Sequence, residues 1–480
     1  MTLSLIGLVQ AALGLLLIVK GELRWIFAFL LLSSLFGGSS AIQIGSSSVP
    51  PVQFALLFVL VRVLLPRGGF AGAVPEALRA NLLLFVFVLY GIVAAYAAPR
   101  IFAGQLNVVP LRFDTLRSMF DTIPLYPTAQ NVTTSIYLAG TLFVALSAFI
   151  VCRFRGGAQT LVQCGVWIAW FHTISGIIGI ALRGTPLDLV FEFFRNANYA
   201  QLDQSYEGFI RINGVWPEAS AYAGYGFAWF AFNAECWYRG ILPRRTGPAA
   251  IILCLVLFFS TSGTAYIGLA GYATVFALRA LLFPAVRDNR RLVQVGLTAV
   301  FFTSLACLAI AVVPHMPAAV WDMIVHMTLD KQDSDSGQQR MFWALQGWDA
   351  FVHSFGLGIG PGSFRSSSLL TSILGSMGLI GIVTFVWYVL DVLQLDRAST
   401  WGASDDIAFS VGGAAAFAAF LMLIPASISA PSPDPGMTFA IFCGAALSLR
   451  PRREAKGTRT QRDGPVLPRR TVIAERGTSP

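Results

Sequence analysis

The sequence predicts an all-α fold, a polytopic bundle of about twelve to thirteen transmembrane helices with large loops that contain short helices. Three observations predict it. Long apolar runs recur along the whole chain. Only 12% of the 480 residues are charged, where a soluble domain carries about 25%. Lipid must therefore be the main solvent. Finally, short arginine-bearing connections alternate with three long polar ones, which sorts the connections onto two sides.

A crossing needs about 20 predominantly apolar residues. Runs near 3–19, 25–42, 51–65, 81–98, 134–152, 159–182, 218–238, 248–262, 264–284, 293–314, 369–393, 408–428 and 436–449 qualify in order. The pair around Ser260-Thr261-Ser262-Gly263-Thr264 is the shortest fit, because its first member is short, and the last run is short too. No basic residue precedes the first run, Lys20 follows it, and no small-residue cleavage site comes next. That pattern reads as an uncleaved first span with an outside N-terminus. Residues 1–449 form one membrane domain. Residues 450–480 are basic, polar and Pro-containing, and read as a disordered cytoplasmic tail that touches anionic lipid.

The net charge is +9, but its distribution argues against nucleic acid. Alternating sides from span to span collects Lys20, Arg24, Arg62, Arg67, Arg79, Arg153, Arg155, Arg239, Arg244, Arg245, Arg279, Arg287, Arg290, Arg291, Arg397 and the tail on one side. Cytoplasmic loops carry such an excess, so the charge is a topology signal. The six cysteines lie in or at the ends of spans and pair at no metal or redox spacing. Neither the cysteines nor the four histidines recur at ligand spacing, so no metal and no cofactor are expected.

The long loops are 99–133, 183–217 and 315–368, all on the outer side. Loops of this size are functional or disordered. In the third, 317–329 reads as an interfacial amphipathic helix. Residues 339–354 read as a second short helix, and the glycine-rich stretch from Gly356 to Ser368 follows. Gly375, Gly378 and Gly381 in the next span read as helix-packing positions.

The residues able to carry chemistry sit in these loops. Arg211 precedes a Gly-containing turn near the membrane surface. An Arg fork there suits a phosphate or carboxylate, and lipid headgroup anchoring is its bland alternative. Pro217 and Glu218 open the next span, where an acid also suits the helix dipole. Arg340 opens the helix 339–354 against the dipole. Such a placement expects a partner, either Asp333 or Asp335 or an anionic substrate. Arg365 follows Gly356, Gly358, Gly360 and Gly362. Such glycines let backbone N–H groups approach a phosphate, or merely form a hinge. His353 is a candidate general base, yet thirteen residues from Arg340 puts it on roughly the opposite helix face. His172 is mid-span and reads as a hydrogen-bonded neutral imidazole. Tyr199, Tyr206, Trp216, Trp321, Trp343 and Trp348 suit sugar stacking or an interfacial belt.

Two stretches carry a family resemblance. One is Arg211-Ile-Asn-Gly-Val-Trp-Pro-Glu-Ala-Ser-Ala-Tyr-Ala. The other runs from Arg340 through Trp343 to GLGIGPGSFRSSS and the Gly-rich span after it. Both resemble the O-antigen ligase and polymerase family of bacterial inner-membrane proteins, and 123–138 is similar to exopolysaccharide members. The resemblance implies glycan transfer from an undecaprenyl-diphosphate donor at the periplasmic face, without a metal. It implies that Arg211, Arg340 and Arg365 clamp the diphosphate and that Glu218 or His353 acts as base. Trp216 and Trp343 would contact glycan. Many ligase members carry a His-Asn pair where this chain reads Arg365-Ser366-Ser367-Ser368, which favours a polymerase of lipid-linked repeat units. The expected partners are that lipid-linked glycan, membrane lipids and other polysaccharide assembly proteins.

The alternatives are a ligase that moves finished glycan to an acceptor lipid, a transporter or flippase of a lipid-linked glycan, and a structural subunit of a synthesis complex. Transporters place charges or broken helices at mid-membrane. The spans show few charges and no clear repeat.

Overall fold

The computed structural model describes residues 2–44, 47–66, 69–111, 120–154, 156–197, 205–206, 209–284, 288–312, 335–394, 401–404 and 406–450. Helices run in this order: α1 (Leu5–Lys20), α2 (Leu23–Ser33), α3 (Pro51–Leu64), α4 (Val74–Ala80), α5 (Leu82–Ile101), α6 (Ala129–Arg153), α7 (Gly157–Ala181), α8 (Asp188–Phe194), α9 (Ala219–Tyr238), α10 (Pro243–Phe258), α11 (Gly263–Leu282), α12 (Asn289–Val312), α13 (Asp335–His353), α14 (Leu369–Leu393), α15 (Ile407–Leu421), α16 (Leu423–Ala426) and α17 (Met437–Ser448). The fold is an all-α polytopic bundle. Among the described residues, α5, α6, α7, α11, α14 and the α15–α16 stretch are long and apolar enough to cross a membrane. The predicted interfacial helix at 317–329 and the tail at 451–480 fall outside the described residues.

Two predicted spans differ from the observed elements. The run 25–42 is helical only to Ser33. Beyond it, Ile42–Ile44 forms an antiparallel hairpin with Ser47–Val49, and Thr2–Leu3 adds on the other edge. The Ser-rich and Gly-rich stretch after Ser33 ends the helix because its side chains bind backbone groups. Ser34 Oγ donates to the Leu31 carbonyl, and Ser40 Oγ to that of Ile42. The run 436–449 yields α17 of 12 residues, about 18 Å long against a hydrocarbon core of about 30 Å. Its lead-in loop is set deep. Asp434 Oδ1 accepts from Thr141 Oγ1 at 2.7 Å, and Thr141 lies twelve residues into α6.

Small residues hold the bundle together. A Cβ at Gly444 would meet the Ala145 carbonyl at 2.2 Å, so α17 lies backbone to backbone on α6. Without water to expel between helices, such close contact is what drives their association. Around α9 sits the aromatic centre: Trp229, Phe227 and Phe232 are fully buried, with Phe232 stacked on Phe442 at 5.1 Å.

The segment from α13 to α14 positions the site. α13 runs alongside the first half of α14 in the same direction. Gly347 abuts Thr371, and Gly356 abuts Gly378, where α14 breaks its helical dihedrals. Residues 354–368 then return toward the start of α14 as irregular backbone. Leu357 accepts from Tyr90 Oη at 2.7 Å, eleven residues or about 16 Å from the loop-side end of α5. Irregular backbone at that depth survives only when protein satisfies it, and here it does. Ile359 and Gly360 N–H donate to the Gly375 and Ser376 carbonyls at 2.8 and 2.9 Å. Gly358 N–H donates to Ser354 Oγ at 2.8 Å, and Asn131 Nδ2 to the Pro361 carbonyl at 2.8 Å.

The glycines of this stretch serve close approach. A Cβ at Gly360, whose φ is +92°, would sit 2.6 Å from the Ala94 carbonyl. The N–H groups of Gly358 and Gly360 are spent on protein acceptors, so they do not cradle a phosphate, and the wedged backbone is not a hinge. Gly375 and Gly378 pack against Gly347 and Gly356, in line with the packing role read from the sequence.

Candidate functional site

Three side chains far apart in sequence meet where α9 and α14 begin. Glu218 is the N-cap of α9 in extended backbone, φ −152°. Its carboxylate does not cap the helix N–H groups. It accepts instead from Ser220 Oγ. Arg340 lies in the second turn of α13, since the helix starts four residues earlier than the sequence suggested. The expected conflict with the helix dipole at its N-terminus therefore does not arise. Asp333 is outside the described residues, and no contact of the Asp335 side chain is described.

Arg365 is fixed by the returning segment. Its N–H donates to the Val109 carbonyl at 2.8 Å, and its guanidinium lies 4.5 Å from the Trp343 ring centroid. Ser367 Oγ donates to the Arg340 carbonyl, which ties the returning segment to α13. Ser366 N–H reaches the Pro431 carbonyl at 3.2 Å. The serines thus clamp the segment, and Ser368 occupies the N-cap position of α14 without capping it.

Burial lowers both guanidinium pKa values below the ordinary arginine value. The Glu218 charge opposes that fall at Arg340 and at Arg365, and the Arg340 charge lowers Arg365 further. Among the described residues, no ion pair at contact distance joins Glu218 to either arginine. All three remain partly exposed. Two partly exposed guanidinium forks set at one place suit a phosphate or carboxylate.

The other sequence candidates are placed differently. Arg211 is half-buried on the stretch that leads to Glu218. Trp343 is nearly buried beneath Arg365. Trp216 packs inside the bundle, 4.5 Å from the Tyr225 ring and against Gly37. His353 is exposed, and its Nδ1 lies 2.8 Å from the Asp349 carbonyl one turn back. It stands thirteen residues, about 20 Å, along α13 from Arg340. The structure therefore brings together Glu218, Arg340, Arg365 and Trp343 and leaves His353 apart. His172 is fully buried and stacked on Tyr222 at 3.8 Å. Among the described residues neither ring nitrogen has a hydrogen-bond partner, where a hydrogen-bonded imidazole was expected from the sequence. Aromatic packing has taken the place of a polar partner.

Sequence reasoning missed a second charged cluster at the opposite end of α9. Glu235 Oε2 meets Arg279 Nη1 at 2.8 Å and Arg239 Nη2 at 3.3 Å, all nearly fully buried. Arg239 also donates to the Gly402 carbonyl at 2.6 Å. Arg239 and Arg279, counted in the sequence only among the basic residues of one side, each pair with a buried carboxylate. The four-residue spacing of Glu235 and Arg239 was the available signal.

Among the described residues no group of three or more His, Cys, Asp or Glu side chains is gathered as a metal site. No family model, no curated protein and no solved structure matches the chain.

Proposed function

We propose that the chain is a glycosyltransferase that polymerises lipid-diphosphate-linked oligosaccharide units at the outer face of a bacterial inner membrane. The observation that carries this reading is the convergence of two partly exposed arginines, Arg340 and Arg365, on Glu218 at the loop-bearing end. The resemblance in the Arg211 and Arg340–Ser368 stretches supports the substrate class.

In the reaction, an acceptor sugar hydroxyl attacks the anomeric carbon of the donor. The new C–O bond forms as the bond to the diphosphate oxygen breaks, and lipid diphosphate leaves with the electron pair. Arg340 and Arg365 stabilise that developing charge, and stacking on Trp343 holds the Arg365 plane. Arg211 joins them on the donor from the α9 side. Glu218 balances the arginines until phosphate replaces it, and then takes the hydroxyl proton. His353, about 20 Å along α13, has no role in this step. A ligase that depends on a histidine at the arginines fits this arrangement less well.

The test is a gel of surface glycans and lipid-linked intermediates from cells that lack the chain. Single repeat units left on lipid, with long chains lost, is the expected result. Long lipid-linked chains that accumulate untransferred would instead identify a ligase.

A further inference from the structure

The turn between α10 and α11 carries polar groups that none of the described residues satisfies. Ser260, Thr261, Ser262 and Thr264 are 0, 6, 0 and 1% exposed. The hydroxyls of Thr261, Ser262 and Thr264 have no hydrogen-bond partner among the described residues. Ser262 is the N-cap of α11 but does not cap it. The first bond into the helix runs from Tyr266 N–H to the Ser262 carbonyl at 3.1 Å. The N–H groups of Gly263, Thr264 and Ala265 therefore emerge from the end of a 20-residue helix. None of the three has an acceptor among the described residues. Buried donors are seldom left unpaired, and each exception calls for an explanation.

Strain marks the same turn. Thr261 holds φ +49°, the left-handed region, which is unusual for a β-branched residue. Such strain persists only where the surroundings enforce it, and it concentrates at ligand sites.

One face of α9 leads from the arginine site to the neighbourhood of this turn. Most of α9 beyond Tyr225 is buried, but Glu218, Ala221 and Gly224 are each partly exposed. They succeed one another at three-residue steps along one face, about 9 Å from first to last. A Cβ built on Gly224 would meet only Thr264 Cγ2, at 3.9 Å. Space is therefore open between α9 and the end of α11.

We propose that the N-terminus of α11 is a second anion subsite, which takes a phosphate oxyanion on the N–H groups of Gly263 to Ala265 and the Ser262 and Thr264 hydroxyls. A helix N-terminus supplies both the donors and the favourable dipole for such a group. Joining two lipid-linked units brings two diphosphates to one enzyme. The phosphate held here belongs to the second of them, an assignment that rests on the function proposed above.

The test is equilibrium dialysis of radiolabelled pyrophosphate against the full-length protein in nanodiscs of zwitterionic lipid, with farnesyl diphosphate in a parallel arm. Wild type and Thr264→Ser bind two equivalents. Ser262→Ala/Thr264→Val binds one, and Gly224→Leu, which fills that space, also binds one. Arg340→Ala/Arg365→Ala keeps the α11 equivalent and loses the other. Circular dichroism and gel filtration check that each variant is folded. A single wild-type equivalent, lost in the arginine pair and kept by Ser262→Ala/Thr264→Val, overturns the second subsite and leaves the arginine reading intact. Two equivalents that survive in the arginine pair overturn the arginine reading instead. Binding of pyrophosphate but not of farnesyl diphosphate at the α11 site overturns its assignment to a lipid-borne phosphate.

Discussion

Two clusters of two arginines and one glutamate lie at opposite ends of α9, and they differ in what completes them. At the Tyr238 end, Glu235, Arg239 and Arg279 close on themselves in contact ion pairs of 2.8 and 3.3 Å. Arg279 also lies over the Tyr238 and Phe417 rings, 4.6 and 4.8 Å from their centroids. Protein supplies the surroundings, and the cluster ties α9 to α11 and to the 401–417 region. At the Glu218 end, the same types of group stay partly exposed, and among the described residues Glu218 makes no contact ion pair with Arg340 or Arg365. The same composition thus gives a structural tie where protein encloses it and, on the proposed function, a ligand site where it does not. Charge content alone does not tell them apart; enclosure does.

The largest expected effect breaks the enclosed cluster. Glu235→Ala strands two buried guanidiniums, a loss of about 3–5 kcal/mol. The expected outcome is loss of folded protein in the membrane fraction, measured by detergent-solubilised yield and gel filtration. Normal yield would mean that the enclosed cluster is no structural tie and would remove the contrast.

Gly360→Ala is next. The added methyl would sit 2.6 Å from the Ala94 carbonyl at a φ of +92°. Its strain of about 1–3 kcal/mol lowers the melting temperature and shifts the segment that carries Arg365, so product falls as well. An unchanged melting temperature would show that the returning segment is not wedged against α5.

At the open cluster, Arg365→Lys removes the fork and the flat stacking on Trp343. Product should fall about 10²–10³-fold, the scale of losing one oxyanion donor, with protein yield and melting temperature unchanged. A parallel loss of yield would make Arg365 a second structural tie. The smallest effect belongs to His353→Ala. Glycan product stays within about threefold of wild type, since a surface substitution without a network partner changes little. A loss as large as that of Arg365→Lys would bring His353 back as the base and move the site along α13.

The sequence made the bundle legible because apolar length is a one-dimensional property. The spans at α5, α6, α7 and α14 follow directly from it. Arg340, Arg365 and Glu218 were also singled out, because charges in outer loops of an apolar chain are few. Their meeting was not legible, since it depends on the returning segment 354–368. Gly-x-Gly-x-Gly reads alike as phosphate cradle, hinge or packing wedge, and only the neighbouring Ala94 and Ser376 carbonyls decide among them. Tertiary pairing hid the buried cluster in the same way. Arg279 counted in the sequence only as one-sided basic charge, and Glu235 of α9 turned out to lie beside it. The Ser260–Thr264 turn gave no charge signal at all, and its unpaired donors emerge only once burial is known.

The most direct test of the contrast is product analysis in cells that lack the chain and are complemented with Arg340→Lys or with wild type, at matched membrane protein levels. The account predicts that Arg340→Lys leaves single lipid-linked units unextended while its yield and melting temperature equal those of wild type. Normal long-chain glycan from Arg340→Lys would contradict it, and the open cluster would then be no more than a second structural tie.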